Sequence, residues 1–287
     1  AGLTDPPRTM TDPSADLSGS ADARPASPAE EGRDGPGPDR VRIRMTIAYD
    51  GAPFRGIAEN RGVDTVAGRL RRAIEPVVGH EVQLAIAGRT DAGVHAWGQV
   101  VSFDADADRA DPEILARAVN ARCVPTVVVR EAEIARPGFH ARFSARARAY
   151  RYTVLNRPLP DPFRAATSWW VPEPLDLNAL RLGCDPLIGL HDFTSFCRRP
   201  RGADEPVMER RVLDARWRDL GDGVLRFDIE ASAFCQQMVR SITGTLVDMG
   251  RGRRRPGEMA GIVRARDRQA AGTLAPPHGL CLHEVRY

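Results

Sequence analysis

From Val41 to Tyr49 the apolar residues Val41, Ile43, Met45, Ile47 and Tyr49 alternate with Arg42, Arg44, Thr46 and Ala48. That period of two is the pattern of a half-buried strand. Asp50-Gly51 then marks a turn. Val66, Leu70, Ala73, Ile74 and Val77 recur at helical spacing behind Asp64 or Thr65, either of which can cap the helix. Val82, Leu84 and Ile86 alternate again, so residues 82–87 predict a strand, and Val100, Val101 and Phe103 predict a partner near 99–103. Asp111-Pro112 opens a second helix with Ile114, Leu115, Ala118 and Val119 on its stripe. Val127 to Ile134 is a further strand. The order β-α-β-β-α-β predicts a ferredoxin-like unit, with one sheet face left open for a ligand or a second domain.

The second half repeats these kinds of element without a close sequence repeat. Residues 150–155 predict a strand, and Leu177, Leu180 and Ile188 a helix beginning near Asp176. Arg198-Arg199-Pro200-Arg201 reads as a basic loop. Val212 to Trp217 and Val224 to Glu230 pair around Gly221-Asp222-Gly223. Phe234, Met238, Ile242 and Leu246 lie at helical spacing and predict one buried face. A short helix near 257–267 and a strand from Leu282 to Tyr287 follow.

Composition sharpens this α+β picture in three ways. Residues 1–40 carry few large apolar side chains and much Pro, Gly, Ser, Ala and Asp, which predicts a disordered tail. That segment holds four arginines against eight acids, a charge of −4, so the total of +3 leaves +7 on residues 41–287. A basic body favours a polyanionic partner. The sequence has no lysine, which excludes a Walker lysine and a Schiff base. The five cysteines are scattered with no CxxC pair, so neither a zinc site nor a disulfide framework is expected. With no apolar run long enough to span a bilayer and no secretory hydrophobic core in residues 1–40, a reducing cytoplasm is the expected location.

The chemistry gathers at Gly88-Arg89-Thr90-Asp91-Ala92-Gly93-Val94-His95, a polar turn between two strand-like runs. Gly88 and Gly93 bracket one cation and one carboxylate, which allows a tight bend and close approach of a ligand. A bare Arg/Asp pair at such a corner is usually surface decoration; the whole string is far more specific. Downstream, Arg142, Arg146, Arg148 and Arg151 interleave with Phe143, Tyr150 and Tyr152, a mixture suited to phosphates and stacked bases. The bland alternative is a solvated edge strand.

The turn resembles the catalytic signature of the tRNA pseudouridine synthase A family. Three more stretches extend the resemblance over nearly everything after residue 40: Tyr49-Asp50-Gly51, the segment 139–152, and Met238-Val239-Arg240. It implies an α+β fold of two ferredoxin-like halves, residues 41–149 and 150–287, their antiparallel sheets joined around a basic cleft, in a homodimer. The implied reaction isomerises uridine to pseudouridine in the anticodon stem-loop of tRNA, at uridines 38, 39 and 40, and uses no cofactor or metal. Asp91 would be the essential carboxylate and Arg240 its charge partner. Arg89 would fill the space left by a flipped base, and Tyr150 would stack on that base. Arg142, Arg146, Arg148 and His95 would contact RNA, His95 being equally suited to a structural role in the turn. Two stretches depart from the family pattern: Gly56-Ile57-Ala58 stands where Gly-Trp-Gln is common, and Cys235-Gln236-Gln237 where histidines are common. Both bear on local RNA contacts.

The alternative is a tRNA-binding protein without turnover on the same fold; the retained Asp91, Tyr150 and Arg240 argue against it. A zinc nucleobase deaminase lacks its His-x-Glu and Cys-x-x-Cys ligands. A glycosidase would want two carboxylates in marked contexts, and only Asp91 stands in one.

Overall fold

The computed structural model describes residue 37, residues 39–199 and residues 207–287. The disordered tail expected over 1–40 therefore falls outside the described residues except at 37, 39 and 40, and so do Pro200 and Arg201 of the basic loop. β1 (Arg40–Tyr49) keeps its alternation, with Ile43, Met45 and Ile47 fully buried. It pairs antiparallel with β3 (His95–Asp106) on one edge and β4 (Val127–Ile134) on the other. α1 (Val66–Val78) starts where Thr65 accepts a hydrogen bond from the Gly68 amide. Its buried column is Val66, Leu70, Ile74 and Val78, spaced by four. Val78 takes the place expected for Val77, because position 78 lies directly above Ile74 on a helix of this pitch. Each such side chain stabilises the fold by roughly 1.5–3 kcal/mol when fully buried.

α2 (Pro112–Cys123) is capped by Asp111, which accepts from the Glu113 and Ile114 amides. It buries Leu115, Val119 and Cys123, while Ile114, expected on the stripe, is exposed. The strand expected over 82–87 shortens to β2 (Ala85–Ile86), which pairs with β3 at Ser102 and Val101. β10 (Leu280–Arg286) pairs in parallel with β3 through His95 and Ala96.

β5 (Ala147–Leu155) begins earlier than residue 150 and is no edge strand. It lies between β10 and β9 (Val224–Ala231), antiparallel to both, with β6 (Trp169–Trp170) added at its end. α3 (Leu177–Leu182) is capped by Asp176, and Ile188 lies beyond it. β7 (Gly189–Asp192) and β8 (Glu209–Asp219) complete one ten-stranded, mostly antiparallel sheet. Its order is β4-β1-β3-β10-β5-β9-β8-β7, with β2 on β3 and β6 on β5.

α4 (Met238–Gly250) starts later than expected, so Phe234 precedes it rather than sharing its face. Every residue of α4 except Arg240 is buried. The helix is enclosed all round, which a single apolar stripe does not anticipate. α5 (Glu258–Ala265) follows. Among the described residues no helix is long and apolar enough to cross a membrane.

Candidate active site

The turn after β2 is fastened from below. The Gln99 side chain, fully buried, accepts from the Gly88 amide at 3.2 Å and donates to the Gly88 carbonyl at 2.7 Å. Thr90 Oγ1 shares a 2.7 Å hydrogen bond with the Tyr49 hydroxyl, and the Ile57 amide donates to the Thr90 carbonyl. The Val94 amide closes the turn on the Asp91 carbonyl at 3.1 Å. Of the two glycines expected to bend the chain, only Gly93 adopts a positive φ, 76°. His95 is 9% exposed; its Nδ1 accepts from the Gly51 amide and its Nε2 faces the Ala166 and His278 carbonyls, each contact at 3.1 Å. Both ring nitrogens thus hold backbone, and Nδ1 also stands 3.1 Å from Asp50 Oδ1.

Asp91, half-buried, receives two side chains from the α4 region. Arg240 Nη1 stands 3.7 Å from Oδ2, and Gln236 Nε2 donates to Oδ1 at 3.3 Å. Arg240 is itself anchored: its Nε donates to the Ala275 carbonyl at 2.7 Å, and the Ala275 amide donates back to the Arg240 carbonyl at 3.2 Å. Gly244 permits this, since a Cβ there would collide with the Thr273 carbonyl oxygen. Burial lowers the Arg240 pKa, opposed by Asp91 and Tyr152. Leaving Arg240 beside a carboxylate offsets part of its desolvation.

Tyr150 projects from β5 next to the turn. Its hydroxyl would lie 3.7 Å from a Cβ placed on Gly88, and its ring meets Phe234 edge-on at 5.0 Å. The ring is 7% exposed, and burial, reinforced by Tyr49 and Asp91, raises the phenol well above the ordinary tyrosine range. The hydroxyl stays protonated at neutral pH. Arg89 is exposed on the turn beside Asp91. Arg142 is exposed with its guanidinium 5.4 Å from the Phe143 ring centre. Arg146 lines a cleft of about 450 Å³ with Arg44, Arg136, Phe139 and Tyr287, a cleft that excludes Asp91. Arg148 differs from these arginines: it is half-buried and bound to backbone carbonyls.

Three features escaped the sequence reading. Gln236 stands where the family pattern favours histidine, yet it touches Asp91. Gln99 carried no signal beyond its place on a strand. Cys197 and Cys235 are joined in a disulfide with Cα atoms 5.7 Å apart, against the expectation of none. Their separation of 38 residues matches no spacing motif. The bridge stands next to the Arg198 amide, which donates to the Gln236 carbonyl at 2.9 Å. Among the described residues no cluster of His, Cys, Asp and Glu could hold a metal ion.

Residues 184–287 match a family model described as tRNA pseudouridine synthase, which defines the class. Curated relatives narrow it. A tRNA pseudouridine synthase A of Caulobacter vibrioides is 40% identical over 248 residues, covering 86% of this chain and 98% of that protein. Those of a Geobacillus species and of Bacillus subtilis are 38% and 39% identical, each covering 86% of this chain, and 98% and 99% of the respective relative. On identity of that extent, the chain belongs to the tRNA pseudouridine synthase A family.

Proposed function

We propose that this chain isomerises uridine to pseudouridine in the anticodon stem-loop of tRNA, at uridines 38, 39 and 40, with Asp91 as the essential carboxylate. The observation that carries the reading is the state of Asp91. It is beside one guanidinium at 3.7 Å and one amide at 3.3 Å, so it keeps lone pairs for a substrate. The reaction breaks the C1′–N1 bond, turns the uracil, joins C1′ to C5 and moves the C5 proton to N1. Atoms and electrons balance without a co-reactant, and the reading calls for no cofactor.

A uridine must first leave its stack, at a cost of a few kcal/mol. Arg89, exposed on the same turn, would occupy the vacated space. Tyr150 would lie against the extruded uracil as a neutral phenol. Asp91 would then either attack C1′, as in retaining glycosidases, or remove the C2′ proton. Exposed Arg142 and Arg146 would meet phosphates. The strand orders β4-β1-β3-β2 and β10-β5-β9-β8 are each that of a ferredoxin-like unit, which supports two such halves, the second opening with β5. The homodimer rests on the family resemblance and the cytoplasmic location on composition; both stay part of this proposal.

Asp91→Asn should lower the single-turnover rate by at least about 10⁴-fold, the scale on which loss of a key catalytic group is felt. tRNA binding should stay near the parent value. A variant that still forms pseudouridine would reject the assignment. Uridine deuterated at C2′ separates the two routes: proton removal is slowed by the heavier isotope, and attack at C1′ is not.

A further inference from the structure

Arg148 reads from the sequence as one more cation in an RNA-binding string, but its geometry is that of a clamp. A guanidinium has five N–H donors. Here Nε donates to the Ala87 carbonyl at 3.2 Å, and Nη2 donates to the Ala87 and Arg142 carbonyls, both at 2.9 Å. Nη1 donates to the Ser232 carbonyl at 2.8 Å and the Ala145 carbonyl at 3.4 Å. All five donors are occupied and none points free toward a phosphate. No carboxylate pairs with it among the described residues; four backbone dipoles hold the charge.

The four carbonyls join segments far apart in sequence. Ala87 leads directly into Gly88 and the turn that carries Asp91. Ser232 opens the segment that carries Gln236 and runs into α4, where Arg240 sits. The two sides of the Asp91 cluster therefore meet on one side chain. Arg148 also shares β5 with Tyr150, two residues on and on the same face of the strand. We propose that Arg148 is a positioning residue, fixing the Asp91 turn against the Gln236–Arg240 side of the site, and makes no contact with RNA. The inference rests on Asp91 being the reacting carboxylate. Lysine could not replace it, because a point charge with three donors cannot span four carbonyls in a plane.

The test measures three quantities for Arg148→Lys and Arg148→Gln: single-turnover rate at saturating enzyme, tRNA dissociation constant, and the salt dependence of binding. A displacement of reacting groups by about 1 Å costs roughly 10²-fold in rate. The expected result is a loss of that size in the rate, with affinity and salt slope unchanged. A phosphate contact would instead weaken binding and reduce the salt slope by about one. That outcome, or a folded variant turning over at the parent rate, overturns the proposal.

Where the variants fail to fold, nuclear magnetic resonance of the parent's arginine Nε–H groups replaces them. The Arg148 signal should exchange slowly with solvent and keep its shift when an anticodon stem-loop RNA is added. Fast exchange or a clear shift on binding overturns the proposal. The same signal should persist in Asp91→Asn. An Asp91→Asn chain that stays active, with the Arg148 signal protected, would sink the functional reading and leave the clamp standing.

Discussion

Asp91 and Asp228 are both aspartates beside arginines, yet their surroundings differ in kind. Asp228, on β9, lies among three guanidiniums. Oδ2 accepts from Arg218 Nε at 2.8 Å and Arg226 Nη2 at 3.1 Å. Oδ1 stands 2.9 Å from Arg226 Nε and 3.4 Å from Arg151 Nε, close but poorly aligned for hydrogen bonding. Arg151 faces Asp228 across β5 and β9, Arg218 lies diagonally across on β8, and Arg226 is two residues away on β9 itself, on the same face. Asp91 has one arginine at 3.7 Å and one amide at 3.3 Å. A carboxylate crowded by cations is a structural joint, whereas one held loosely beside a single cation can still take a substrate. Arginines divide the same way: Arg148 has every donor in use, and Arg89 stands exposed. The contrast teaches that residue type marks candidates and that coordination separates the working ones.

The largest effect that could break this contrast is at Asp91 itself, where the amide variant should remove turnover. Next comes Arg240. Arg240→Met keeps the apolar stem but removes the charge beside Asp91 and the hydrogen bond to Ala275. Turnover should fall by roughly 10²–10³-fold, the range seen when a pre-organised charge or donor is deleted. Leaving the Ala275 carbonyl without its partner should cost about 1–3 kcal/mol of stability. Single-turnover rates and melting curves measure both. Undiminished turnover would mean that Asp91 works without its cation.

The legible parts of this molecule are local. The alternation of β1, the Thr65 and Asp111 caps and the polar turn are each written within a few residues, so periodicity and capping chemistry find them. The parts where the structure differs from the local pattern depend on partners distant in the chain. β2 shares its edge of β3 with β10, which comes from the far end of the sequence. α4 is buried all round because other elements enclose it, which its own pattern of Phe234, Met238, Ile242 and Leu246 does not encode. Gln236 reaches Asp91 across 145 residues, and Arg148 binds carbonyls, which have no sequence signature. Asp91, Tyr150 and Arg240 stand out as a set only by resemblance to a family; their spacing alone gives no reason to bring them together.

Tyrosines offer a sharper version of the contrast. Tyr49 is bonded to Thr90 and Gln99, while Tyr150 makes no hydrogen bond through its hydroxyl among the described residues. Burial raises both, Tyr49 to about 12 and Tyr150 further, and also raises Tyr152 and Tyr287. The folded chain then holds protons that the unfolded chain releases near the ordinary value of about 10. Stability is fully present below that pH and is lost as pH rises through it toward the folded values. Near pH 11 the native protein should therefore give little phenolate absorbance, most of which should appear together with unfolding. A Tyr150 that ionises near pH 10 in the folded state would be solvated, and its place beside the extruded base would be lost.

The smallest expected effect is at Asp228. Asp228→Asn keeps the shape of the side chain and removes the one negative charge among Arg151, Arg218 and Arg226. Those arginines are 39%, 45% and 22% exposed, so water already screens much of their mutual repulsion. The loss of stability should be about 1 kcal/mol, near the upper end for exposed ion pairs, and should shrink as salt is added. Turnover should not change, because the cluster holds strands and touches no member of the Asp91 site. Melting temperatures at low and high salt, with turnover measured alongside, decide it. A variant that melts like the parent but has lost turnover would mean that a saturated carboxylate can still serve the reaction, and the distinction between the two aspartates would fail.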